Sequence, residues 1–149
     1  MSDLSLLSIA ECGRRYRDGS LSPVAVTEAF LARIAAVNDT LHGFNTVTAD
    51  IALEAARTAE AELAEGTDRG PMHGIPFGVK DIVDTAGVLT SCQSRLKEGN
   101  VPAEDATLVA KLKAGGAVML GKTATIEFAT GGPSDETLFP PARNPWNPE

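Results

Sequence analysis

The stretch Gly70-Pro71-Met72-His73-Gly74-Ile75-Pro76-Phe77-Gly78-Val79-Lys80-Asp81-Ile82-Val83 decides how the chain is read. From Ile75 to Val83 it is a short, nearly continuous apolar run carrying one lysine and one aspartate. Its length and β-branched content predict a buried strand. A lysine inside such a run must reach water along its own stem or lose its charge. Desolvation lowers a lysine pKa, and a neutral amine can serve as a general base. The plainer alternative is a lysine on a solvent-facing edge, or one paired with Asp81 or Asp84; spacing by itself favours that alternative.

Upstream of this strand the chain reads as helical. Ser8-Ile9-Ala10-Glu11 is a capping box, in which Ser8 accepts from the Glu11 amide and the Glu11 side chain reaches back. The helix it opens should end near Gly19. Ser22-Pro23 repeats the start signal, and Val26, Phe30, Ile34 and Val37 follow on one face. A third helix is predicted from about Ala49 to Glu65, with Ile51, Ala55, Ala59 and Leu63 on one side and Gly66 as its stop.

Downstream, Asp105 can cap a helix through Leu108, Val109 and Leu112 that closes at Gly115-Gly116. Ala117 to Leu120 then reads as a second buried strand. Helices alternating with strands predict an α/β layer. Gly116-Ala117-Val118-Met119-Leu120-Gly121-Lys122-Thr123 spells the phosphate-cradling pattern G-x-x-x-x-G-K-T. That cradle needs a strand before the first glycine and a loop between the two. Here a helix precedes Gly116 and four apolar residues lie between, so the segment is read as strand.

The chain has 149 residues, 43% hydrophobic and 22% charged, which is one domain able to bury a core and unlike a disordered chain. Thirteen basic residues against 20 acidic ones leave a net charge of −7, and no basic patch stands out, so nucleic-acid binding is not expected. Cys12 and Cys92 lie far apart without neighbouring ligand patterns, which excludes a disulfide framework or zinc site and fits a reducing, cytoplasmic compartment. Met1-Ser2-Asp3-Leu4 has no secretory pattern, and no apolar run approaches the ~18 residues of a membrane span. His42 and His73 have no second ligand at metal spacing and read as structural. Asp81 and Asp84 suit a turn or a charge partner for Lys80. Thr90-Ser91 offers hydroxyls without a nucleophile elbow. Five of the nine prolines fall between Pro133 and Pro148, and Asn144-Pro145-Trp146-Asn147-Pro148-Glu149 reads as a loop cut in its middle.

The block from Gly70 to Asp81 resembles the amidase signature family. So do Thr85-Ala86-Gly87, the segment from Ala106-Thr107-Leu108-Val109 to Gly121-Lys122-Thr123, Glu127-Phe128-Ala129 and Arg143-Asn144-Pro145-Trp146. Leu41-His42-Gly43-Phe44 falls where the family has the loop after its second helix. The resemblance covers nearly the whole chain. It implies the N-terminal part of an α/β/α sandwich with a mixed sheet, in one domain. A helical segment of about 1–65 would precede the α/β part of about 70–149.

The resemblance also implies hydrolysis of a carboxamide C–N bond in a small-molecule amide substrate, by a Ser–cis-Ser–Lys triad without metal or cofactor. Lys80 would be the triad lysine. The family's Gly/Ser-rich segment, which holds both serines and the oxyanion donors, follows the Arg-Asn-Pro-Trp block, and the sequence stops at Glu149. Ala124 stands where the family often has Asn. The 149 residues alone are therefore expected to be inactive, with uncovered sheet surface through which copies could associate. The alternatives are an amidase-like subunit of a tRNA-dependent amidotransferase, a non-catalytic assembly or binding module, and the phosphate-loop reading.

Overall fold

A computed structural model describes residues 4–148. Within them run α1 (Ile9–Arg17), α2 (Pro23–Leu41), β1 (Phe44–Val47), α3 (Ala49–Ala64), β2 (Pro76–Lys80), α4 (Thr107–Ala114) and β3 (Val118–Thr123). The readings placed on Met1-Ser2-Asp3 and on Glu149 lie outside the described residues. The strands form one sheet in the order β1-β3-β2, with β1 antiparallel to β3. Val118 N–H donates to the Ile75 carbonyl and Asp81 N–H to the Thr123 carbonyl, so β2 and β3 climb together in parallel. The sheet is therefore mixed, as expected. The helix α4 lies in the crossover between the two parallel strands, which a hairpin could not join.

The chain divides into two compact units interleaved in sequence. One takes the chain to Ile34, then Thr48–Phe77 and Lys111–Leu120. Its core gathers Cys12 and Tyr16 of α1, Val26 of α2 and Ile75 before β2, with Phe30 and Leu63 packed against them. Ser8 caps α1 by accepting from the Glu11 amide at 3.2 Å. The Glu11 carboxylate is bidentate to Arg14 and does not close the reciprocal half of the box. Arg17, at the end of α1, reaches Asp68 at 2.7 Å and the Gly70 carbonyl at 2.9 Å, which ties down the loop leading into β2.

Two predicted faces shift. On α2, Val26 and Ile34 are buried and Phe30 is half-buried, but Val37 is exposed. On α3 the buried stripe is Ala52, Ala56 and Ala59, while Ile51 is 47% exposed. Leu63, near the end of α3, packs against the cluster of Cys12, Tyr16, Val26 and Ile75, and small alanines fill the fully buried positions earlier in the helix.

The other unit takes Ala35–Val47, Gly78–Ala110 and the chain from Gly121 onward. Here β1 follows directly on the expected loop after α2, at residues to which the sequence reading assigns no strand. It is held by pairing with β3, Phe44 opposite Thr123 and Val47 opposite Gly121. A Cβ on Gly121 would lie 2.1 Å from the Thr46 carbonyl oxygen, and its φ is +152°. Glycine lets the two backbones meet. β3 therefore runs on through Gly121-Lys122-Thr123 as strand, which removes the phosphate-loop alternative: these amides belong to a sheet. β2 ends earlier than predicted, because Val83 N–H turns back to the Lys80 carbonyl at 3.0 Å. Asp105 faces this turn region, accepting from the Ala86 amide at 2.8 Å.

Candidate active site

Lys80 closes β2. Side chains alternate along a strand, so Gly78 and Lys80 share one face while Val79 and Asp81 take the other. Val79 and Asp81 are buried; Gly78 and Lys80 are exposed. Gly78 makes room on Lys80's face, where a Cβ would come 2.7 Å from the Thr123 methyl and 3.5 Å from the Phe44 ring. Lys80 is thus on a strand, as expected, with its side chain open to solvent.

The buried lysine is a different one. Lys122 is fully buried on β3, and its ammonium donates to the Val83 carbonyl at 2.7 Å and to Thr90 Oγ1 at 2.7 Å. Asp81 Oδ1 lies 3.6 Å away. Three acceptors surround three N–H groups, which is the arrangement of an ammonium and not of a free base. Burial pushes the Lys122 pKa down, and the neighbouring Asp81 carboxylate opposes that shift. Asp81 is 1% exposed and accepts from Ser91 N at 3.1 Å, Ser91 Oγ at 2.5 Å and Asn45 Nδ2 at 3.0 Å. So Asp81 is a charge partner, as one alternative held, but of Lys122 and not of Lys80. Asp84 is exposed, and its carbonyl accepts from Ala106 N–H.

This cluster holds a strained turn. Cys92 and Gln93 sit at φ 52° and 60°, in the left-handed region that costs a non-glycine residue about 1 kcal/mol or more. Cys92 N–H is fixed to the Asp81 carbonyl at 2.8 Å and Gln93 N–H to Ser91 Oγ at 3.0 Å. The buried Gln93 amide accepts from Asn45 at 2.8 Å and donates to the Phe139 carbonyl at 2.6 Å. A second left-handed pair, Phe128 and Ala129, joins it through Phe128 N–H to the Cys92 carbonyl at 2.9 Å. Thr90 and Ser91 therefore serve as hydrogen-bonding anchors inside the fold. Neither hydroxyl is accessible, since both residues are 0% exposed.

His73 is buried, accepts at Nδ1 from the Arg69 amide, and therefore carries its proton on Nε2, 3.0 Å from Glu62, though not aligned for a hydrogen bond. Glu62 also pairs with Arg69. His42 sits at φ 51° in the turn between α2 and β1. Among the described residues no group of three His, Cys, Asp or Glu side chains is placed to hold a metal ion, and no helix is long and apolar enough to cross a membrane. Sequence reasoning marks Lys80 and Asp81 but misses Lys122, Asn45 and Gln93. The parity of a strand is the available signal: adjacent Lys80 and Asp81 must face opposite ways.

A family model described as Amidase matches residues 25–149. The chain is 43% identical over 149 residues to a glutamyl-tRNA(Gln) amidotransferase subunit of Roseiflexus sp. (strain RS-1), covering 100% of this chain and 30% of that protein. It spans about 30% of the length of the curated relatives it matches. Among solved structures it resembles the native peptide amidase of Stenotrophomonas maltophilia at 33% identity and a TM-score of 0.85, over 96% of this chain and 31% of that one. A bacterial aryl acylamidase of the amidase signature enzymes matches at 25% identity and a TM-score of 0.88, over 98% of this chain and 31% of that one.

Proposed function

The chain belongs to the amidase family, and on that footing we propose that it forms the lysine-bearing part of an enzyme that cleaves a carboxamide C–N bond by acyl transfer to a serine. Lys80 is the proposed base. The observation that carries the reading is its position: a primary amine at the end of a strand whose next residue, Asp81, is clamped by Ser91, Asn45 and Lys122. In this reaction a serine hydroxyl adds to the amide carbonyl and its proton passes, through a second serine, to the Lys80 amine. The C–N bond then breaks as that proton moves to the leaving nitrogen, and water releases the acyl group. Both serines are proposed to come from outside these 149 residues. Ser91 and Ser94 are fully buried, and Ser91 Oγ is committed to Asp81 and the Gln93 amide. A lysine without nucleophile or oxyanion donors does not run acyl transfer, so the 149 residues alone should release no ammonia or amine from carboxamides.

A second reading rests on the 43% identity to the Roseiflexus amidotransferase chain. There the ammonia released from the carboxamide would be handed to an acceptor and not set free in solution, in a complex with other proteins. Both readings put the same bond cleavage on Lys80. In the complete protein, Lys80→Ala should lower carboxamide cleavage by roughly 10²–10⁴-fold with the fold intact. Near-normal turnover in that variant would overturn the base role. Release of free ammonia without an acceptor or partner protein supports the hydrolase; turnover only with both supports the transferase.

A further inference from the structure

The cluster behind Lys80 has a feature that packing alone does not require. Asp81 is held through its main chain and its side chain at once. Its N–H is bound to the Thr123 carbonyl at 3.0 Å and its carbonyl accepts from Cys92 at 2.8 Å. Its carboxylate takes Ser91 N, Ser91 Oγ and Asn45 Nδ2, with Lys122 beside it. Every polar group of residue 81 is occupied, and the residue before it is Lys80. A buried ion pair is a weak source of net stability, since desolvation offsets most of the attraction. Its better-attested use is to select one arrangement over near alternatives. Here the arrangement selected includes two left-handed non-glycine residues, Cys92 and Gln93. Strain of that kind persists only where surrounding bonds over-determine it.

We propose that the set Asp81, Ser91 and Lys122, all buried, with the half-buried Asn45, acts as the positioning device for Lys80, fixing the direction of its amine from the opposite face of the sheet. The inference rests on the proposed role of Lys80 and extends it to residues that never touch the substrate. Adjacent positions on a strand move together: a shift of the Asp81 carboxylate turns the peptide between 80 and 81 and swings the amine. A displacement near 1 Å at a reacting group can lower a rate by roughly 10²-fold. Lys122 and Thr90 resemble an amine–hydroxyl pair, but both are 0% exposed, so their place in this device is as anchor.

The test is made in the complete protein with Ser91→Ala, which removes the shortest tie to Asp81 and leaves the ion pair. The variant should keep the circular dichroism spectrum, keep KM within about twofold and lose roughly tenfold or more in kcat. In a Lys80→Ala background the same substitution should cause no further loss, because the device then has nothing to position. Ser91→Thr, which retains the hydroxyl, should recover most of the rate. If Ser91→Ala does not fold, Asn45→Ala releases Asp81 from the β1 side at a half-buried position and should give the same kcat loss. Unchanged kcat in the folded variant overturns the proposal, as does an equal loss with and without Lys80. Full turnover in Lys80→Ala alone overturns the role of Lys80, and the positioning with it. An inactive Lys80→Ala beside an unaffected Ser91→Ala overturns the positioning only.

Discussion

Gly121 is the position where a single added methyl meets backbone. Its Cβ would stand 2.1 Å from the Thr46 carbonyl oxygen and 3.0 Å from the Val47 Cα. Neither neighbour can rotate away, because both belong to the paired strand β1. Gly121→Ala should therefore destabilise by about 3 kcal/mol or more, at the upper end of overpacking effects, and open the β1–β3 ladder. Urea unfolding of the variant, with amide exchange at Thr46 and Lys122, reads both effects; a loss under about 1 kcal/mol would contradict the packing. Asp68 gives a pH test at the same scale. The Arg17 guanidinium and the Gly70 amide hold its carboxyl down at about 2. A carboxyl depressed on folding stabilises above its ordinary pKa and loses that contribution as pH falls toward the folded value. The Arg17–Asp68 tie should be fully present above roughly pH 5 and vanish between about pH 4 and pH 2. Asp68→Asn should flatten the stability curve in that window alone, and by less in high salt, since the pair is solvent-exposed.

At the scale of elements, the caps and the small-residue seam are the parts most open to test. Ser8→Ala removes the only side-chain cap seen on α1 among the described residues and should lower stability by about 1 kcal/mol. Ala56 is fully buried, on one stripe of α3 with Ala52 and Ala59. Ala56→Leu should cost about 1–3 kcal/mol by overpacking, whereas Ile51→Ala, at an exposed position, should stay within about 0.5 kcal/mol. Those two variants separate the observed face of α3 from the predicted one, which placed Ile51 inside. The helices were legible because caps and stops are local: Ser8, Pro23, Gly19 and Gly66 lie within a few residues of the ends they set. Faces were less legible, since an Ala stripe and an Ile-containing stripe look alike until tertiary packing selects one of them. The strand β1 was not legible at all. Four residues, Phe44 to Val47, carry too little pattern, and what makes them a strand is β3, more than seventy positions away. The same holds at the site. Lys80 was marked by its apolar neighbours, yet those neighbours fix only that something there is buried. Which of two lysines loses its water, Lys80 or Lys122, depends on strand parity and on Asp81, Val83 and Thr90 being brought together.

For the molecule as a whole, the open question in solution is what its exposed apolar side chains do. Trp146 is 94% exposed, Leu96 87%, Val101 55% and Phe128 47%, all in the unit that also carries Lys80. Single exposed apolar residues are ordinary, but several large ones in one unit favour association. Against this stands a net charge of −7, which makes copies repel. The two terms respond oppositely to salt. Repulsion is screened, with a Debye length near 8 Å at 0.15 M and about 3 Å at 1 M, while apolar burial is untouched or strengthened. The 149-residue chain should therefore sediment closer to a monomer at low salt and low concentration and associate as either rises. Trp146 should emit as a water-exposed indole in the dilute sample and shift to shorter wavelength as association sets in. Leu96→Lys and Trp146→Ser should each raise the concentration needed. Association that weakens with added salt would point to ion pairs instead. A monomer at every concentration, with Trp146 already blue-shifted, would show that the indole is covered within one chain and that the apolar surface is not available to a second copy.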